Sequence, residues 1–182
     1  MTTTAKAILD FWFDDSVKKR WFNSDEAFDE KIKTMFEPTY QAGVDGLLAD
    51  WEETAEGALA LVILFDQFPL NMYRGKKESF ETEALSRDVA SRAIKNKFDQ
   101  QMSSSQRSFL YMPFMHSENL DDQQSGIDLF ESAGLDDNLR FAKHHQKIVQ
   151  QFGRFPHRNK ILNRKNTADE VKYLASDEAF LG

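Results

Sequence analysis

An all-α chain is what this sequence predicts, and three observations carry the prediction. Apolar residues recur at the helical period in one segment after another, helix-capping side chains stand ahead of those segments, and neither strand-type alternation nor an Asn-Gly hairpin turn occurs. The 182 residues suit one domain, so residues 1–182 are expected to form a single all-helical domain of stacked antiparallel helices with short connections.

Each element has its own signal. Residues 4–13 make a short apolar helix with Ile8, Phe11 and Trp12. Ser24 is placed to cap a second helix carrying Phe28, Ile32, Phe36 and Tyr40, which Pro38 should kink near its end. Thr54 caps a third, AEGALALVILFDQF, apolar nearly all round and therefore central. Pro69 is expected to break it, and its apolar run over 58–65 is far too short to cross a bilayer. Residues 79–96 form the next helix, and Ser103 with Gln106 makes a capping box ahead of RSFLYMPFM, a segment that Pro113 should disrupt. Residues 120–133 end at Gly134 and residues 138–152 at Gly153. A last capping box, Thr167 with Glu170, opens a closing helix at about 168–175.

Composition removes several classes of function. With 16 Phe and three Trp in a chain that is 41% hydrophobic, there is material for a full core, which argues against a disordered linker. The absence of Cys removes disulfide frameworks, thiolate nucleophiles and cysteine-ligated metals. The start, MTTTAKAILDFWFDD, reads as a helix rather than a signal peptide, so a soluble cytoplasmic protein is expected, with no membrane partner. A net charge of −7 argues against broad nucleic-acid binding. The charge is segregated, however: residues 138–168 contain eight Lys and Arg and no Asp or Glu, leaving −15 for the rest. That basic zone is either a solvated face or a site.

Three stretches can carry chemistry. In NLRFAKHHQKIVQQFGRFPHRN, Phe141, His145, Ile148, Val149 and Phe152 fall on one helical face, with His145 at its centre. A histidine there must find an internal partner: a backbone carbonyl, as in an ordinary core, or Asp66 or Glu118. Gly153 stops the helix and Pro156 holds Phe155 extended, which brings Arg154, His157 and Arg158 to the helix end. Guanidinium forks match carboxylate and phosphate, and flanking Phe rings limit water. In LFDQFPLNMYRG, Asp66 either orients a buried His or Arg or pairs with Arg74. In YMPFMHSENL, His116 offers a hydrogen-bond donor and Glu118 a base or a partner for a cation, with Gln123 near enough in sequence to join either. A His-x-Glu pair lacks a third ligand at a diagnostic spacing, so no metal and no cofactor is expected.

The strings DQFPLN…YRG, F-x-YMP-x-MHSE and H-x-x-I-x-x-x-FGRFPHRN-x-IL-x-R resemble the bacterial family called domain of unknown function 924 over most of the chain. The resemblance implies an all-helical, tetratricopeptide-like fold and no particular reaction. It carries over Asp66, Gln67, Pro69, Asn71, Arg74, Phe80, Tyr111, Pro113, His116, Ser117, Glu118, Gln123, His145, residues 152–159 and Arg164. The chain departs from the family pattern at Leu70, Glu83, Gln151 and Asn163.

Two classes of function stand open. One is a pocket in which Arg74, Arg154, His157 and Arg158 converge on a small anionic molecule, with Asp66 and His145 contributing and His116 and Glu118 on its wall. In an enzyme, His116 or Glu118 would move the proton and the reaction would be hydrolysis of that molecule. The other is a helical-repeat module with a protein partner, in which the polar cluster is a structural lock. The sequence is silent on oligomeric state.

Overall fold

A computed structural model describes residues 2–181. Every regular element among them is helical and no strand occurs, so the chain is all-α. Among the described residues no helix is long and apolar enough to cross a membrane. Backbone contacts gather into two compact units, Met1–Arg74 with Glu78–Pro113, and Gly75–Lys77 with Phe114–Gly182.

The first unit contains α1 (Ala5–Trp12), α2 (Asp15–Lys18), α3 (Glu26–Val44), α4 (Ala55–Val62), α5 (Phe68–Met72), α6 (Glu83–Lys95) and most of α7 (Ser104–His116). Thr4 and Thr54 cap α1 and α4 through their hydroxyls. Helix α4 lies among α1, α6 and a 3-10 turn at Ala49–Glu53, and residues 57–67 are buried without exception, as an all-round apolar helix requires. The approach of the 3-10 turn is so close that a side chain at Gly57 would collide with the Trp51 backbone. Phe68 stacks on Phe36 at 4.6 Å and meets the edge of Trp12 at 5.6 Å, and Trp12 in turn meets Phe109 at 5.6 Å.

Pro69 and Pro113 behave differently from expectation. Helix α3 runs through Pro38 for six more residues, losing only the bond that position 38 would give the Thr34 carbonyl. Helix α7 likewise continues through Pro113 to His116. Pro69 does not break the buried helix either. Between α4 and α5 the chain widens into one π turn, Ile63–Gln67, in which the Phe68 N–H donates to the Ile63 carbonyl five residues back. The Phe65 carbonyl, which Pro69 cannot serve, accepts the Thr82 hydroxyl at 2.7 Å. Two boundaries also move. Asp25, not Ser24, caps α3 by accepting the Phe28 N–H, and α6 begins at Glu83 because Lys77–Phe80 winds as a 3-10 turn.

The second unit contains the end of α7, α8 (Leu120–Ser132), α9 (Asp136–Phe152) and α10 (Ala168–Leu174). Asn119 caps α8, and α8 lies along α9. Thr167 and Glu170 make the reciprocal capping box of α10 as read from the sequence. Phe141, placed by periodicity on the apolar face of α9, is 50% exposed at its margin, while Ala142, His145, Ile148 and Val149 are buried.

Candidate functional site

The site of the second unit begins where α9 stops. Gly153 takes a left-handed conformation at φ 70°, and its N–H closes the last turn on the Val149 carbonyl. Phe155 is extended, as a residue before proline should be, and Pro156–Arg158 turns as a single 3-10 turn. This reversal sets His157 and Arg158 beside His145 of α9. The Phe155 ring lies 5.4 Å from the His145 imidazole and 5.6 Å from that of His157. Phe180 also touches both, at 4.6 and 5.0 Å, so two imidazoles share two phenyl neighbours. Phe180 is held by its N–H donating to Tyr173 Oη at 2.9 Å. The Arg158 guanidinium sits 4.7 Å from the centre of the Phe155 ring.

His145 is 5% exposed. Its Nδ1 faces the Met115 carbonyl at 3.3 Å, so of the partners foreseen it takes the backbone carbonyl and neither Asp66 nor Glu118. Burial, with His116 adding to it, pushes the imidazole down to about 3 against the opposing pull of the Met115 carbonyl. His157 is pushed down to about 4 by burial first and then by the Arg158 charge. Both rings are therefore neutral at pH 7. His145 Nε2 and His157 Nδ1 are buried and have no hydrogen-bond partner among the described residues.

The carboxylates are committed to arginines. Glu118 accepts from Arg164 through both oxygens, at 2.6 and 2.9 Å, and from the Phe155 N–H at 2.8 Å. Burial alone would raise its carboxyl, but the hydrogen bonds from Arg164 and Phe155 and the Arg164 charge hold it below the usual carboxylate range. Of the two parts open to Glu118, base or partner of a cation, the carboxylate here takes the second, ionised and bound through both oxygens to Arg164. Arg154 forks onto Glu170 at 2.6 and 2.8 Å and also donates to the Lys165 carbonyl. That fork drives the Glu170 carboxyl down to about 2. On the outer side of Arg154 an open groove of about 720 Å³ has Glu170, Asp169 and Glu178 on its walls, a poor setting for an anion. His116 ends α7, half-buried, and its charge bears on both His145 and His157.

Asp66 and Arg74 belong to the first unit. The buried Asp66 carboxylate accepts from the adjacent Gln67 amide. Arg74 forks onto Asp29 at 2.6 and 3.1 Å and donates to the Ser24 hydroxyl, and Asn71 donates to the same Asp29 at 2.7 Å. The expected partner of Arg74, Asp66, is replaced by Asp29. The charged groups that sequence reasoning passed over are Asp29 and Glu170, together with the ring of Phe180. Glu170 had a signal of its own, since a capping carboxylate close to a basic loop is also a counter-ion.

An all-α chain with neutral buried imidazoles inside a fork-braced polar cluster is a class that no single motif identifies. The family model described as "Bacterial protein of unknown function (DUF924)" matches residues 8–178, and the chain belongs to that family. A solved structure, a protein of unknown function from Agrobacterium tumefaciens, is similar at 41% identity, covering 94% of this chain and 96% of that one with a TM-score of 0.89. No curated protein matches.

Proposed function

We propose that the second unit binds a small molecule carrying an anionic group, with His145, His157 and Arg158 as the contact residues. The observation that supports this most is the pair of buried, unpartnered imidazole nitrogens, His145 Nε2 and His157 Nδ1. Each such nitrogen costs about 1–3 kcal/mol when nothing bonds to it, and native folds seldom leave two in one cluster. Arg158 contributes a permanent positive charge beside them and a planar fork suited to carboxylate or phosphate.

Arg154, Arg164 and Arg74 fork onto Glu170, Glu118 and Asp29 and act as braces. These forks favour the structural-lock reading for their own residues, and the two readings divide the polar cluster between them. Glu118 is taken up by Arg164, so the function proposed is binding and assigns no reaction.

Isothermal titration of phosphorylated and carboxylated metabolites tests it. Wild type should bind at least one member of the panel, and Arg158→Ala should weaken that member by about tenfold or more, with circular dichroism confirming that the variant is folded. Absence of binding across the whole panel would leave only the lock.

A further inference from the structure

We propose, resting on that reading of the site, that the ligand presents a hydrogen-bond donor to His145, so that its class is a hydroxylated acid or hydroxylated phosphate ester. The argument is one of tautomers. A carbonyl oxygen only accepts, so the Nδ1 that faces Met115 O at 3.3 Å carries the ring proton. The same carbonyl accepts from Gln123 Nε2 at 2.7 Å, and that amide also donates to Ser117 O at 2.7 Å. Two donors fill the two lone pairs of Met115 O, and a fully buried Gln123 pins the carbonyl in place. His145 has no freedom to exchange its proton to the other nitrogen without abandoning this arrangement.

The consequence lies at the opposite edge of the ring. Nε2 of a neutral, Nδ1-protonated imidazole is a lone pair, and the burial that keeps His145 neutral keeps it so at pH 7. A carboxylate or phosphate oxygen, itself a lone pair, would be repelled there. What satisfies Nε2 is a neutral donor, and since the Arg158 charge that bears on His145 opposes an ammonium there, that donor is a hydroxyl. The neighbouring rings of Phe155 and Phe180 supply none. A ligand that serves the whole cluster therefore places its anionic group toward Arg158 and a hydroxyl toward His145. Sites that bond a substrate hydroxyl discriminate strongly against analogues lacking it, because the protein acceptor is then stranded.

Matched pairs make the test: lactate against propionate, 3-phosphoglycerate against 3-phosphopropionate, and glycerol 3-phosphate against n-propyl phosphate, each titrated into the full chain. The hydroxylated member of a binding pair should be tighter by about tenfold or more, and in His145→Phe the two members should converge. Equal affinity within every binding pair would overturn this inference while leaving the anion site standing. Binding by no member of any pair would remove the site and the inference together. A long-range nitrogen–proton correlation spectrum of wild type needs neither ligand nor variant: it should show His145 protonated on Nδ1, and a proton on Nε2 instead would sink the proposal outright.

Discussion

All three tryptophans of the chain, Trp12, Trp21 and Trp51, lie in the first unit, and all four histidines, His116, His144, His145 and His157, lie in the second. The segregation reflects how each unit is held. In the first, a buried helix and a chain of rings from Phe36 through Phe68 and Trp12 to Phe109 do the holding. In the second, the apolar cluster at the site is three buried residues, Ile148, Val149 and Phe155, flanked by half-exposed rings, and two carboxylate–arginine forks close the gap. Apolar burial is indifferent to pH, whereas forks and neutral imidazoles are not. One unit should therefore answer to mutation of its packing and the other to mutation of its charges.

The largest effect is expected from Phe68→Ala, which empties a fully buried ring position. It should cost about 3–5 kcal/mol, by the same amount at pH 7 and pH 5.5, in urea unfolding followed by tryptophan emission. A cost that changes with pH would contradict the contrast.

Arg164→Ala should come next, at about 2–3 kcal/mol, because it strands the half-buried Glu118 carboxylate. Hydrogen exchange should show the loss in the second unit, at the Phe155 amide first. The double variant Glu118→Gln/Arg164→Ala should recover part of it, and a purely additive result would mean that the fork is not a coupled pair.

Acid provides the third measure. Both His145 and His157 are depressed, so the folded chain binds fewer protons than the unfolded one below the ordinary value of 6.5. Their contribution is complete above pH 6.5 and is lost as pH falls toward about 4 for His157 and about 3 for His145. The slope is at most about 1.4 kcal/mol per pH unit for each ring. Glu118 acts at lower pH: its contribution is present above 4.5 and goes as pH falls through its lowered folded value. Histidine ring protons, observed by nuclear magnetic resonance, should show His145 and His157 uncharged at pH 5.5. A tryptophan signal that titrates together with them would break the comparison.

The smallest effect belongs to Phe141→Ala, which should shift stability by no more than about 0.5 kcal/mol in the same urea assay, despite the place of Phe141 on the predicted apolar face.

What could be read from the sequence was local. The capping boxes Ser103–Gln106 and Thr167–Glu170, the stop at Gly153 and the extended Phe155 depend on neighbours within a few residues, and all are present. So does the burial of 58–65, which needs only an apolar surface with no polar side. Pro69 misled because its cost is settled elsewhere: the carbonyl that it orphans is answered by Thr82, 17 residues from it. The acid-free stretch misled for the same reason. Its counter-charges lie outside it, Glu170 just beyond its end and Glu118 well before its start, reaching Arg164 across 46 residues. Composition revealed that cations gather there, but pairing at such separation is a property of the folded chain.

The π turn at Ile63–Gln67 has a consequence for phase. It holds one residue more than an α turn, so every residue of α5 is rotated relative to a straight continuation of α4. Winding these five residues as ordinary α-helix, with the length unchanged, would swing α5 by roughly 100°. Asn71 and Arg74 would then leave Asp29, although every side chain of the brace would still be encoded. In this segment the winding is itself the information: the wider turn, not the side chains alone, keeps α5 facing Asp29.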